Sequence, residues 1–121
     1  MTMRRALIAV FVAAACGSAF AQDGTTPLHW AVHKGDVAES LPHLPQSVYR
    51  LVHIDTDLYV PTLVCLDYFG SRVSPGGVIV VDDYGQKKCP GVPKAVAEYL
   101  ARTDGWQTWD ARTEQLVLVK R

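Results

Sequence analysis

The sequence predicts an α/β fold: a partial Rossmann-like sheet of alternating strands and helices, finished by a C-terminal antiparallel hairpin. Three observations predict it. Two short apolar runs rich in branched residues, Tyr49–Ile54 and Val78–Val81, both stop abruptly at aspartates, which is how buried strands end. Between them Leu63, Leu66, Phe69 and Val73 recur at helical spacing and make one apolar stripe. A second helical stretch and two strand-like runs follow. Alternation of this kind gives a layered sheet with right-handed crossovers, and ligands in such sheets bind beyond the carboxyl ends of the strands.

The elements follow one another in order. Residues 22–27 read as a polar linker and residues 28–121 as the folded domain. Leu28 to His33 suits a short strand, closed by Lys34-Gly35-Asp36, and Pro42 and Pro45 limit the next stretch to about one helical turn. Tyr49–Ile54 is the first central strand. Pro61 suits the first position of the helix, where a missing N–H costs nothing. Ser74-Pro75-Gly76-Gly77 reads as a tight turn, and Val78–Val81, apolar on both faces, as a central parallel strand. A central strand needs a neighbour on each side, and Leu28–His33 is the segment expected to cover part of the other edge of Tyr49–Ile54. Tyr84 to Gly91 reads as a loop. Pro93 opens a second helix with Val92, Val96 and Leu100 on one side, and Asp104-Gly105 ends it. Trp106 to Ala111 and Gln115 to Lys120 then pair as a hairpin.

Composition bounds the function. The chain has 121 residues, 49% of them hydrophobic and 20% charged, with 12 basic and 12 acidic side chains. One small domain with a buried core is expected, and disorder is not. With a formal charge of zero there is no basic excess to suggest a nucleic-acid binder, and none is expected.

The first 21 residues read differently. Arg4 and Arg5 precede an uncharged run from Ala6 to Ala15, and Ser18-Ala19-Phe20-Ala21 supplies a small-x-small ending. This is the anatomy of a secretory signal peptide, and it implies a periplasmic or secreted protein. A mistaken start codon or a buried N-terminal helix of a cytoplasmic protein is the alternative. The run is shorter than the roughly 20 residues that span a bilayer, so no transmembrane helix is expected. Beyond it only Cys65 and Cys89 remain, which fit neither a disulfide framework nor a zinc signature. Cys65 reads as a core residue and Cys89 as part of a loop.

The acidic strand ends carry the chemistry. Asp55-Thr56-Asp57 ends one strand and Asp82-Asp83 ends the next, 27 residues on. Adjacent parallel strands lie about 4.8 Å apart, so the carboxylates of Asp55, Asp82 and Asp83 can converge. Converging carboxylates call for a cation, and oxygen donors suit Mg²⁺, Ca²⁺ or Mn²⁺ over zinc. The competing role is capping of the following helices, for which Asp57 is the best candidate.

Longer words then become specific. His53-Ile-Asp-Thr-Asp-Leu-Tyr59, Pro61-Thr62, Ser74-Pro-Gly-Gly-Val-Ile-Val-Val-Asp-Asp-Tyr-Gly85, Cys89-Pro-Gly and Lys94-Ala-Val96 together resemble the macrocin-type (TylF/MycF) O-methyltransferases, over about residues 28 to 118. The resemblance is to the C-terminal catalytic half of that class I fold, from its third strand onward. It implies S-adenosylmethionine as methyl donor, Mg²⁺ or a similar divalent cation, and a small-molecule acceptor whose sugar hydroxyl is methylated. By position it makes Asp55, Asp82 and Asp83 metal ligands, places Asp57, Tyr59 and Tyr84 around the site, and puts Asp36 in the region near the cofactor's adenine. Leu58 stands where catechol-type relatives have a lysine, so no general base is assigned. His53 alternates with the apolar residues of its strand and reads as a core histidine.

The sequence departs from the family in one large respect: it has no ExGxxxG-like loop to cradle the methionine end of the cofactor. A fragment without autonomous activity is therefore expected, completed by a complementing chain or a second copy. The alternatives are an exported, non-catalytic metal- or ligand-binding relic and a decayed gene product.

Overall fold

The two strands that stop at aspartates lie side by side at the centre of one sheet. The computed structural model describes residues 7–14, 28–34, 37–44 and 48–121. Its elements are strands β1 (Leu7–Ala14) and β2 (Leu28–Lys34), the single-turn helix α1 (Val37–Ser40) continued by a 3₁₀ turn (Leu41–His43), strand β3 (Tyr49–Asp55), helix α2 (Tyr59–Gly70), strand β4 (Val73–Val81), helix α3 (Gly91–Arg102), and strands β5 (Trp106–Asp110) and β6 (Leu116–Lys120). They form a six-stranded sheet in the order β2-β1-β3-β4-β6-β5. Only β3 and β4 pair in parallel, across the α2 crossover; the other neighbours are antiparallel.

The predicted α/β class holds. Period-two alternation sends Val52 and Ile54 of β3, Ile79 and Val81 of β4, and Leu116 and Leu118 of β6 into one core. Cys65, Leu66 and Phe69 of α2 and Val92, Val96 and Tyr99 of α3 pack against them. Phe69 anchors the far end with edge-on contacts to Tyr49 and Tyr68 at centroid separations of 5.4 and 5.0 Å. The Lys120 ammonium of the last strand donates to Gly70 O, the last carbonyl of α2, at 2.8 Å and to Val73 O at the start of β4 at 2.9 Å, so the helix end gains one of the partners it needs.

Several boundaries differ from expectation, each for a physical reason. Helix α2 begins at Tyr59, and Pro61 is its third residue, still among the positions whose N–H has no intrahelical partner. Helix α3 begins at Gly91 instead of Pro93 on the same grounds. Val73 is not the last residue of the α2 stripe but the first of β4. Ser74–Gly77 is not a free turn: β4 runs through it, the pairing shifts from Tyr49↔Val73 to Leu51↔Val78, and Gly76 takes φ +79°. Turn-forming residues here make an irregularity inside a strand, which glycine permits. The hairpin strands are one residue shorter than expected, at Trp106–Asp110 and Leu116–Lys120.

The N-terminal side holds the largest difference. Leu28–Lys34 is a strand, but it does not border β3. That place belongs to β1, with Ala9↔Asp55 and Val12↔Val52 in register, and β2 pairs with β1's other edge. The apolar stretch read as the heart of a leader thus forms a sheet strand. The 22–27 linker, Asp36 and the expected cleavage point at Ala21 lie outside the described residues.

Candidate metal centre

The site grows from the carboxyl ends of β3 and β4. Asp55 closes β3, and the parallel ladder runs one step further, with the Asp82 N–H donating to Ile54 O at 2.9 Å. That bond holds the two acidic ends level. Oxygens of Asp55, Asp82 and Asp83 lie within 4.8 Å of one another, and all three residues are half-buried. The three predicted ligands are therefore brought together.

Local backbone shape aims them. Asp83 has φ +57°, and its N–H donates to Asp82 Oδ1 at 2.9 Å. Asp57 also has φ +57°. The left-handed region is uncommon for residues other than glycine, and aspartate is among those that tolerate it. Two such residues at one site mark backbone held in place by its surroundings. The Leu58 N–H closes onto Thr56 O at 2.7 Å, a tight turn centred on Asp57. On the strand side His53 Nε2 lies 3.4 Å from Asp82 Oδ2.

Electrostatics fit a centre that wants a cation. Hydrogen bonding to Asp57, partial burial, hydrogen bonding to Asp55 and the charges of Asp57 and Asp82 push the Asp83 carboxyl up to about 7. Burial also raises Asp55, with the charges of Asp82 and Asp57 adding to it and the Asp83 hydrogen bond opposing. In this arrangement Asp83 is the carboxyl that retains a proton and donates it to its neighbours. Divalent cations take such protons' place. Hard oxygen donors at this spacing fit Mg²⁺, Mn²⁺ or Ca²⁺.

The remaining predicted residues take different places. Asp57 does not cap α2; Leu58 occupies that position without a side-chain cap. Asp57 is exposed and faces Asp83 and Cys89, whose ligand atoms lie within 4.8 Å of its own. Desolvation and the surrounding carboxylates raise the Cys89 thiol. Burial pushes Cys65 up to about 12, as suits an inert core thiol, and both cysteines are free. Tyr59 turns to α3, where its hydroxyl donates to Glu98 and the Lys94 ammonium lies 4.6 Å above its ring. Gly91 sits against it: a Cβ there would fall 2.7 Å from Tyr59 N. Tyr84 packs against the core.

Two features have no signature in the sequence. The turn joining β5 to β6 overhangs the acids: Arg112, Thr113, Glu114, Gln115 and Asp82 line a cleft of about 610 Å³. Gly85 N–H donates to Glu114 O at 3.1 Å and ties that turn to the loop after Asp83. Beneath the acids, Thr56 and Thr62 are buried with their hydroxyl oxygens 2.6 Å apart. No local pattern announces either feature, since both depend on which elements the sheet brings together.

Comparison with known proteins matches this geometry to a family. The profile of the macrocin O-methyltransferases (TylF) matches residues 17–105. The chain belongs to the TylF family. Among curated members it is 38% identical over 66 residues to demethyldecarbamoylnovobiocin O-methyltransferase of Streptomyces niveus, a match covering 54% of this chain and 24% of that protein. It is 34% identical over 64 residues to the 8-demethyl-8-(2,3-dimethoxy-alpha-L-rhamnosyl)-tetracenomycin-C 4'-O-methyltransferase of Streptomyces olivaceus, covering 53% of this chain and 23% of that one. Among solved structures, the O-methyltransferase NovP superposes with TM-score 0.63 at 29% identity, over 69% of this chain and 34% of its own. CalS11, a TDP-rhamnose 3'-O-methyltransferase of calicheamicin biosynthesis, superposes with TM-score 0.57 at 27% identity, over 72% and 39%. The aligned part of this TylF-family chain thus spans about a quarter of the length of the curated relatives it matches.

Proposed function

We propose that this chain carries the metal- and acceptor-binding part of an S-adenosylmethionine-dependent O-methyltransferase that acts on a sugar hydroxyl of a small molecule. The observation that carries this reading is the convergence of Asp55, Asp82 and Asp83 at the ends of two adjacent parallel strands. The sugar acceptor follows from family membership and from the rhamnose-directed activities named for two relatives.

Asp55, Asp82 and Asp83 would hold a divalent cation. Such a cation supplies Lewis acidity to an acceptor hydroxyl. The protein's own part is positional. The β3–β4 ladder holds the carboxylates level, the two left-handed aspartates turn them inward, and the cleft beneath the β5–β6 turn gives an acceptor a wall beside Asp82. Orientation of this kind accounts for much of the catalysis in group transfer.

The methyl donor is a different matter. The sequence holds no ExGxxxG-like loop, and the residues that converge here are acidic ligands without a glycine-rich cradle. These residues do not fit the donor's methionine end. The half-buried acidic cluster also favours a second reading: a metal-binding domain of the same ancestry. Calorimetric titration of the purified chain with S-adenosylmethionine, with and without Mg²⁺, separates the two. Saturable binding supports the enzyme. No binding by a folded sample that still takes up Mg²⁺ leaves the metal-binding domain.

A further inference from the structure

We infer that Thr56 is a positioning residue for the acidic centre, acting through a buried hydroxyl relay to the first turn of α2. Thr56 and Thr62 are the buried polar side chains of the described core, at 2% and 0% exposure. Their Oγ1 atoms lie 2.6 Å apart, and Thr62 Oγ1 also donates to Leu58 O at 2.6 Å. A hydroxyl has one proton. Thr62 commits its proton to Leu58 O, so Thr56 is the donor in the Thr56–Thr62 bond. The relay therefore has a direction, from Thr56 to Thr62 to Leu58.

Its place gives it a function. Thr56 stands between Asp55, a ligand of the proposed centre, and Asp57, which sits at φ +57°. The chain reverses there in a turn closed by Leu58 N–H on Thr56 O at 2.7 Å, and Thr62 N–H returns to Leu58 O at 3.1 Å. The corner that presents two of the four acids is thus pinned from below to a helix and exposed to solvent above. The hydroxyl relay is the side-chain link between that corner and α2. The relay bonds Thr62 and Leu58 O and acts on the carboxylates through the backbone, so its loss is expected at the low end of the roughly 10–100-fold that direct hydrogen-bond partners of metal ligands contribute. This inference rests on the metal reading of the triad.

The two threonines are not equivalent. Thr56→Val removes the donor and leaves Thr62 still bonded to Leu58 O. Thr62→Val strands a buried Thr56 hydroxyl without its acceptor, so it is the more destabilising of the pair. The informative variant is accordingly Thr56→Val, with Thr56→Ser as its conservative counterpart and Val96→Ala as a core control on α3.

The experiment is a Mn²⁺ titration of the full chain and these variants, followed by electron paramagnetic resonance and paired with amide hydrogen exchange over residues 55–62. Thr56→Val is expected to lose roughly tenfold in Mn²⁺ affinity and to exchange faster at Leu58, Thr56→Ser to stay within about twofold of the parent, and Val96→Ala to lose thermal stability with its affinity kept. Parental Mn²⁺ affinity in Thr56→Val overturns the inference and leaves the metal reading intact. A folded parent chain that binds no Mn²⁺ overturns both.

Discussion

Asp83 concentrates the physics of the site in one carboxyl. Its neighbours hold it protonated to about pH 7, far above the ordinary aspartate value. The sign of the linkage follows. The folded chain binds this proton more tightly than the unfolded chain, so the associated stability is complete below the ordinary aspartate range and is lost as pH rises towards 7. A cation reverses that loss by replacing the proton. In scanning calorimetry the metal-free protein should therefore lose stability from pH 4 to pH 7, and Mg²⁺ should restore more at pH 8 than at pH 5. Asp83→Asn keeps a residue suited to the left-handed backbone and removes one repelling charge. Calorimetry at pH 8 should find it more stable than the parent without metal and unresponsive to Mg²⁺. A parent-like Mg²⁺ response in this variant would remove Asp83 from the ligand set.

At the scale of elements, the contact between the α2 and α3 N-termini sets the frame of the acidic corner. Gly91 lies so close that a methyl group would meet Tyr59 N at 2.7 Å and Tyr59 Cα at 3.1 Å. Alanine in a helix gains about 0.5–1 kcal/mol over glycine, whereas overpacking costs about 1–3 kcal/mol. The struck atoms are mainly backbone and cannot rotate away, so the clash wins. Gly91→Ala is expected to lower urea stability by about 1 kcal/mol or more and to weaken Mg²⁺ binding, because α2 carries the Asp57 corner at its start. Unchanged stability would show that the two helices separate without cost.

These elements also show what a sequence reveals. Tyr49–Asp55 and Val78–Val81 were legible because a continuous apolar run that stops at acids fits a buried strand and little else. The site triad followed from them, since a strand–helix–strand unit places its carboxyl ends side by side. Ser74–Gly77 reads as a turn because Pro-Gly-Gly has that chemistry, whereas the pairing of β4 with β3 on either side carries it through as an irregularity. The Thr56–Thr62 relay was illegible: threonine is ordinary near a helix start, and its burial depends on β3 and α2 packing together.

For the whole molecule, β1 is decisive. Its eight residues have the composition of a leader's apolar core and equally of a buried strand, so composition alone cannot choose between them. In the sheet it stands between β2 and β3. Export with cleavage after Ala21 and retention of this sheet are therefore alternatives for any one molecule. Removing residues 1–21 deletes β1, strips β2 of its partner and opens the edge of β3, an arrangement prone to edge-to-edge association. The shortened chain is expected to melt lower than the full chain and to aggregate in light scattering. Equal melting and a monodisperse shortened chain would show that β1 is dispensable.

Three strand-end carboxylates are proposed to make one divalent-cation site in a TylF-family fold. The direct measurement is a calorimetric titration of the full chain with Mn²⁺ at pH 8, beside Asp82→Asn. One saturable site is expected in the parent and its loss in Asp82→Asn, with the far-ultraviolet spectrum of both proteins alike. A folded parent that takes up no Mn²⁺, or an Asp82→Asn variant that binds it equally well, would contradict it.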